Sequence, residues 1–281
     1  MRRTRKAEIA ILIFTTVILL TMANLYYNWQ TSSRPEGILH LSVDDVIDVF
    51  VDLTENQDHY DSVFDNEMLA MFLQYHNKYG AKFSLYCFYE SGDFNLSMVP
   101  SKYHDELVVN SDWLRFGYHA KSSNTELTAI SADEIEQEYC LTVSELERIT
   151  GSVTHTLRLS MFHGNKDAME RLKELGVKVL LTADDGRLSY YLDEEISKYI
   201  SDHDSIEDSL FTFVSTDLRL DRLSKFAVYP RLLTIAFDTR QNKIITVFTH
   251  EWLINEKTYK KIRDVCRFAQ NYQYRFETEL L

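Results

Sequence analysis

Short apolar strands alternating with amphipathic helices predict an α/β fold on a parallel sheet. The even return of the strands favours a closed or nearly closed (β/α) barrel. Three observations carry this expectation. Apolar runs recur from residue 38 to residue 249, each separated from the next by a helical pattern with its own start and stop signals. With 8 Gly and 3 Pro in 281 residues and 45% hydrophobic content, the chain has the apolar mass for a sizeable core and little linker. Several strands also end in polar residues able to do chemistry, and in a parallel barrel such residues meet at one mouth.

The N-terminus stands apart. Arg2, Arg3, Arg5 and Lys6 precede an uncharged apolar run over residues 9–27, near the ~20 residues a helix needs to cross a bilayer. The basic cluster would stay in the cytoplasm and send the remainder out, with Tyr26 and Tyr27 suited to the interface. Residues 1–29 therefore read as a basic tail and single-pass cell-membrane anchor, residues 30–37 (QTSSRPEG) as a polar tether, and residues 38–281 as the folded domain outside. Thr21-Met22-Ala23 before Asn24 also resembles a cleavage site, so a removed signal peptide and a secreted protein form the rival reading. Setting aside the four basic residues and Glu8 leaves 26 basic and 42 acidic residues, a net charge of −16. That charge argues against a nucleic-acid partner and against docking on anionic lipid.

The first strand, residues 38–45 (ILHLSVDD), stops in two adjacent carboxylates. Its plainest reading is a strand followed by a helix that Asp44 caps near Val46. A helix beginning at Asp65 presents Met68, Leu69, Phe72, Tyr75, His76 and Tyr79 on one face, with Gly80 as its stop. His76 reads as a packed residue. Residues 81–89 (AKFSLYCFY) form a strand covered on both faces. A Pro100-led helical segment feeds Trp113, and residues 114–119 (LRFGYH) make a strand ending in His119. Ser131 with Glu134 forms a capping box for a helix burying Ile135, Tyr139, Leu146 and Ile149. Residues 154–160 (THTLRLS) form a strand carrying Arg158. The helix over residues 165–175 stops at Gly176, and the strand over residues 177–182 ends in Asp184-Asp185-Gly186. Residues 187–223 break the alternation and read as a rim decoration. Residues 244–249 make a strand ending in His250, and a helix burying Tyr259, Ile262, Cys266 and Ala269 follows. Cys87, Cys140 and Cys266 lack metal spacing and read as small apolar groups. No Gly-rich phosphate loop and no internal repeat is present.

Asp44, Asp45, His119, Arg158, Asp184, Asp185 and His250 thus lie at strand exits. Neighbouring carboxylates repel, so one of a pair gains from a cation while the other can serve as a base. The order Asp-Asp, His, Arg, Asp, His resembles the polysaccharide deacetylase family of metal-dependent carbohydrate esterases, from about residue 38 to residue 252. The resemblance implies a distorted (β/α) barrel of about seven units and the removal of acetyl groups from the N-acetylated sugars of a polysaccharide, such as a cell-envelope glycan. It also implies a divalent metal ion, zinc with cobalt or nickel as substitutes. Asp45 and His119 would be ligands, Asp44 the general base, Arg158 its orienting partner and His250 the general acid. Asp184 or Asp185 would be the supporting acid.

Three departures stand out. The position for a third ligand holds Ser123, in HAKSSN, with Asn124 as a substitute and Glu126 as a longer reach. RLSMFHG lacks a proline stretch after Arg158 and adds His163. No tryptophan follows Asp185, and Trp252 in THEW would stack on a sugar ring instead. His163 and Glu251 could reach the mouth, although each reads more plainly as a loop residue or one that supports the site from behind. Two other readings stand beside the deacetylase: a non-catalytic glycan-binding protein on the same barrel, and a glycoside hydrolase using Asp44 and Asp185 as its carboxylate pair.

Overall fold

The computed structural model describes residues 15, 16, 18, 19, 21, 22, 37–184, 187–237 and 244–280. The chain divides into two compact units, residues 1–36 and residues 37–281. In the first, Thr15, Thr16, Ile18, Leu19, Thr21 and Met22 are helical. Among the described residues no helix is long and apolar enough to cross a membrane. Most of the run over residues 9–27, on which the expected anchor rests, lies outside the described residues, and so does the tether up to residue 36.

The second unit is α/β. Its strands are β1 (Gly37–Val46), β2 (Phe83–Phe88), the small antiparallel pair β3 (Glu90–Ser91) and β4 (Phe94–Asn95), β5 (Leu114–Ala120), β6 (Thr156–Leu157) and β7 (Val179–Leu181). They continue as β8 (Ser205–Glu207), β9 (Thr212–Val214), β10 (Leu218–Arg219), β11 (Ile244–His250) and β12 (Tyr274–Phe276). The helices are α1 (Asp48–Glu55), α2 (Glu67–Tyr79), α3 (His104–Val109), α4 (Ala132–Thr150), α5 (Lys166–Glu174), α6 (Glu194–His203), α7 (Val228–Ala236) and α8 (Glu256–Tyr272).

One sheet runs β10-β11-β1-β2-β5, all parallel, and a second runs β6-β7-β9-β8 with β8 as its antiparallel edge. Two seams bring them round into a barrel. Phe116 bridges Val153 on one side, and on the other Asp217 N donates to Thr246 O at 3.2 Å. Among the described residues, seven strand positions line this ring: β1, β2, β5, β6, β7, β9 running on into β10, and β11. The parallel direction puts all their carboxyl ends on one rim.

Local chemistry explains most boundaries. Asn66 caps α2 by accepting from Leu69 N, and Gly80 closes that helix with a φ of 66°, a left-handed conformation that glycine adopts without steric cost. His76 stacks on Trp113 with ring centroids 4.4 Å apart, as a packed residue should. The Ser131–Glu134 capping box starts α4. The core fills the barrel and the space behind it: Phe83, Tyr86, Phe116, Tyr118, Phe213 and Phe248 are fully buried. Each such ring contributes roughly 1.5–3 kcal/mol relative to exposure.

The structure departs from the sequence expectation in four places. The strand expected over residues 154–160 pairs only at Thr156 and Leu157. Beyond it, Met161 and Phe162 take φ values of 57° and 59° and turn the chain away. Residues 187–223 hold more than a rim decoration, since β9 is a barrel strand and Leu218–Arg219 pairs with β11. A further strand, β12, pairs with the start of β1. Cys87 and Cys266 are buried as expected, but Cys140 is exposed on the outer face of α4.

Candidate active site

Alternation along β1 sends His40, Ser42 and Asp44 to the barrel interior, where each is at most 2% exposed. Such polar groups need partners. His40 meets Tyr86 Oη at 3.1 Å, and burial together with the charge of Arg158 lowers its pKa to about 3. Ser42 and Asp44 meet Arg158, which crosses the interior from the far wall, fully buried. Its Nη1 donates to Ser42 Oγ at 2.8 Å and to Asp44 Oδ1 at 3.2 Å, and its Nη2 donates to Thr216 Oγ1 at 3.1 Å. The guanidinium also lies 4.1 Å from the Phe248 ring centroid. Nη1 also reaches Asp44 Oδ2 at 3.4 Å, so one charged nitrogen shared between both oxygens holds the carboxylate while Ser42 and Thr216 hold the guanidinium.

Asp45 comes next and breaks the strand. Its φ is 60°, and the β1–β2 register slips between Val43 and Val46. Aspartate tolerates this left-handed conformation better than most residues, and strained backbone of this kind gathers at functional sites. The kink aims Asp45 Oδ1 at His119 Nε2, 3.2 Å away, while Trp252 Nε1 donates to Oδ2 at 2.9 Å. Burial would raise the Asp45 pKa, but the bonds from His119 and Trp252 and the charge of His250 overcome it and hold it at about 2.

Asp44 does not cap the following helix. Glu251 does: its carboxylate accepts from the amides of Ile47, Asp48 and Val49 at 2.7, 2.7 and 2.8 Å. Burial lifts its pKa to about 7 in spite of those three donors. One side chain from the end of β11 thereby pins the loop that presents both aspartates. His250 sits directly opposite Asp44 in the β1–β11 register. Its Nδ1 faces Asp221 Oδ1 at 3.6 Å and Arg219 Nη2 at 3.5 Å, and Arg219 is itself paired to Asp221 at 2.6 Å. Against the pull of burial, the bonds from His250 and Arg219 lower the Asp221 pKa.

The barrel thus brings Asp44, Asp45, His119, Arg158, His250 and Trp252 to one place. Other expected residues lie elsewhere. Ser123 and Asn124 are exposed on a turn that bonds within itself through Ser122 and Thr125. Asp184 reaches Arg222 at 3.5 Å, and the acid beside His250 is Asp221 instead. The reason is topological: β9 and β10 insert Asp221 next to β11, closer than the exit of β7. Asp185 lies outside the described residues, so the Asp44–Asp185 carboxylate pair has no geometry here. His163 is half-buried just past the Met161–Phe162 turn. Sequence reasoning missed Asp221, Arg219, Thr216 and Ser42. Only the alternation in LHLSVDD, which puts Ser42 on the face of Asp44, could have signalled one of them.

The donors fit a divalent cation as two ligands. His119 Nδ1 is bonded to the backbone oxygen of Arg158. That contact leaves Nε2 facing the Asp45 carboxylate at 3.2 Å, where the two side chains can share a proton or a cation. Metal-ligating histidines are commonly oriented this way. Among the described residues no group of three His, Cys, Asp or Glu side chains could hold an ion, so remaining coordination would fall to water or substrate.

No family model matches the chain, and no curated protein matches it either. Solved structures do. A protein assigned as a polysaccharide deacetylase from Mycobacterium smegmatis matches with a TM-score of 0.54 at 10% identity, over 89% of this chain and 88% of that one. A family 4 carbohydrate esterase from Streptomyces lividans, in complex with acetate, matches with a TM-score of 0.50 at 11% identity, over 85% of this chain and 90% of that one. The chain resembles the polysaccharide deacetylases in fold.

Proposed function

We propose that this chain is a divergent polysaccharide deacetylase, an exported, metal-assisted hydrolase that removes acetyl groups from the N-acetylated sugars of a cell-envelope glycan. The observation that supports it most is the convergence of Asp45 and His119, residues far apart in the chain, on one point beside Asp44. A divalent ion held there, zinc or in its place cobalt or nickel, would acidify a water and polarise the acetyl carbonyl. Asp44 takes the proton of the attacking water. Arg158 keeps the Asp44 carboxylate turned toward the mouth, and Ser42 and Thr216 fix the guanidinium in turn. His250 gives a proton to the departing amine, since an imidazole can carry protons near neutral pH. Its Nδ1 is engaged by Asp221 and Arg219, which leaves Nε2 for the transfer. Trp252 is 62% exposed and lies 5.6 Å from the His250 ring, so its indole face offers a stacking surface for a sugar. The basic N-terminal tail and the apolar run over residues 9–27 would anchor the domain outside the cell membrane, beside such a glycan.

A second reading, a glycan-binding protein on the same barrel without catalysis, draws on the exposed position of Ser123, which leaves Asp45 and His119 without a third His, Cys, Asp or Glu ligand among the described residues. Acetate release from N-acetylated oligosaccharides in the presence of zinc, cobalt or nickel separates the two. Turnover that depends on Asp44 supports the deacetylase. Sugar binding with no acetate at any of the three ions supports the other.

A further inference from the structure

Trp252 is the middle residue of the turn Glu251–Leu253 that follows β11. The backbone of that turn is fixed. The buried Glu251 carboxylate holds the amides of Ile47, Asp48 and Val49, and Ile254 N donates to Glu251 O at 2.8 Å. The indole is freer: it is 62% exposed, and its ring lies 5.6 Å from that of His250 at a tilt of 42°. Its Nε1 donates to Asp45 Oδ2 at 2.9 Å, while Asp45 Oδ1 faces His119 Nε2 at 3.2 Å. Trp252 also lines an open groove of about 340 Å³, together with Asp48, Asn66, Glu67 and Tyr259. That volume falls within the roughly 300–1,000 Å³ of ligand sites. Asp48 and Glu67 are exposed there, and their carboxylates can accept from hydroxyls.

The torsion that carries a carboxylate has a broad well, so an aspartate swings unless a partner holds it. The indole N–H takes Asp45 Oδ2 and leaves Oδ1 turned toward His119, the oxygen that a cation there would use. Partners that orient a ligand in this way are worth roughly 10–100-fold in metal affinity. The effect weighs most where, among the described residues, no third His, Cys, Asp or Glu side chain joins the pair. The N–H reaches Oδ2 only from one placement of the indole, and holding an exposed side chain in one placement costs rotamer freedom. A sugar ring stacked on the indole meets that cost, and so does an ion that draws Asp45 into line. Whichever binds second finds the indole already set. We infer that Trp252 is a positioning residue that couples glycan to cation: a sugar on the indole and an ion at Asp45 and His119 tighten one another through the Nε1–H bond. By linkage the factor is the same in both directions. The inference rests on the cation and glycan sites of the reading above and goes beyond it by making them interdependent.

The test is titration calorimetry on the full chain with zinc and cellotetraose, a glucan oligomer with no acetyl carbonyl to place on the ion. In wild type, saturating cellotetraose should tighten zinc about fivefold or more, and saturating zinc should tighten cellotetraose by the same factor. Trp252→Phe keeps an aromatic face and removes the N–H. It should bind zinc about tenfold more weakly or worse, hold cellotetraose nearly as well as wild type, and show no coupling. Zinc should also shift the tryptophan emission of wild type and leave that of Trp252→Phe unmoved. The wild-type factor needs no variant, and retained sugar binding shows that Trp252→Phe is folded. No binding of zinc or of cellotetraose by wild type, affinities indifferent to the other ligand, undiminished coupling in Trp252→Phe, or loss of both ligands there would overturn the inference. Acetate release is read separately. Turnover without coupling sinks only the inference, whereas coupling without turnover sinks only the deacetylase.

Discussion

Replacing Arg158 by methionine would remove the only described cation bonded to the buried Asp44 carboxylate. Asp44 is 2% exposed, and Arg158 Nη1 donates to both of its carboxylate oxygens, at 3.2 and 3.4 Å. Breaking a buried ion pair from one side leaves an uncompensated charge and costs roughly 3–5 kcal/mol. Ser42 and Thr216 would lose their bonds to the guanidinium as well, and Phe248 the nearer of its two cationic neighbours. For a domain of this size each kcal/mol moves Tm by about 2–4 °C, so Arg158→Met should unfold on the order of 10 °C lower. The companion variant Asp44→Asn/Arg158→Met has no charge to strand and should regain at least about 2 kcal/mol of the loss. Urea unfolding of the wild type, both single variants and the double variant closes the cycle. If Arg158→Met falls within about 0.5 kcal/mol of wild type, or the double variant is no more stable than Arg158→Met, the buried pair does not organise this site.

Further outcomes follow from the same geometry. Asp45 is held at about 2, below its ordinary 3.8. Its charge therefore stabilises the fold above about pH 4, and that contribution, at most on the order of 2 kcal/mol, is lost as the pH falls through 2. Asp45→Asn should flatten acid unfolding in that window. Glu251→Gln sets a carboxamide against three amide donors and should cost about 1–3 kcal/mol, read by urea unfolding with an unchanged slope. Zinc binding measured by calorimetry should be weak and should vanish in His119→Ala. Ser123→His should tighten it about tenfold or more by adding a ligand, and no gain would show that the turn at Ser122–Thr125 cannot reach the ion.

Much of this fold was legible because strand and helix periods are local. The Ser131 cap, the Gly80 stop and the apolar stripes of α2, α4 and α8 all follow from neighbours within a few residues, although the α2 helix starts at Glu67 behind an Asn66 cap rather than at Asp65. The aspartate pair, His119, Arg158 and His250 were legible for a related reason: an apolar strand ending in a polar residue marks its own exit. What stayed hidden was set by contacts between distant segments. Glu251 caps a helix that starts 203 residues earlier, so the more obvious Asp44 looked like the cap. Asp221 reached His250 only because β9 and β10 complete the barrel, and their residues carry too short a pattern to read as strands. β12, three residues long and placed against β1, lacked any period of its own.

The central claim is that Asp44, set beside Asp45 and His119, activates water against an acetyl group. Acetate released from N-acetylglucosamine oligomers by the full chain, with zinc, cobalt or nickel supplied, tests it most directly. Wild type should turn over, and Asp44→Asn should lose at least a hundredfold in rate, in keeping with the roughly 10²–10⁴ contributed by a positioned base, while still binding the ion. Acetate release undiminished in Asp44→Asn, or none from wild type with any of the three metals, would contradict the account.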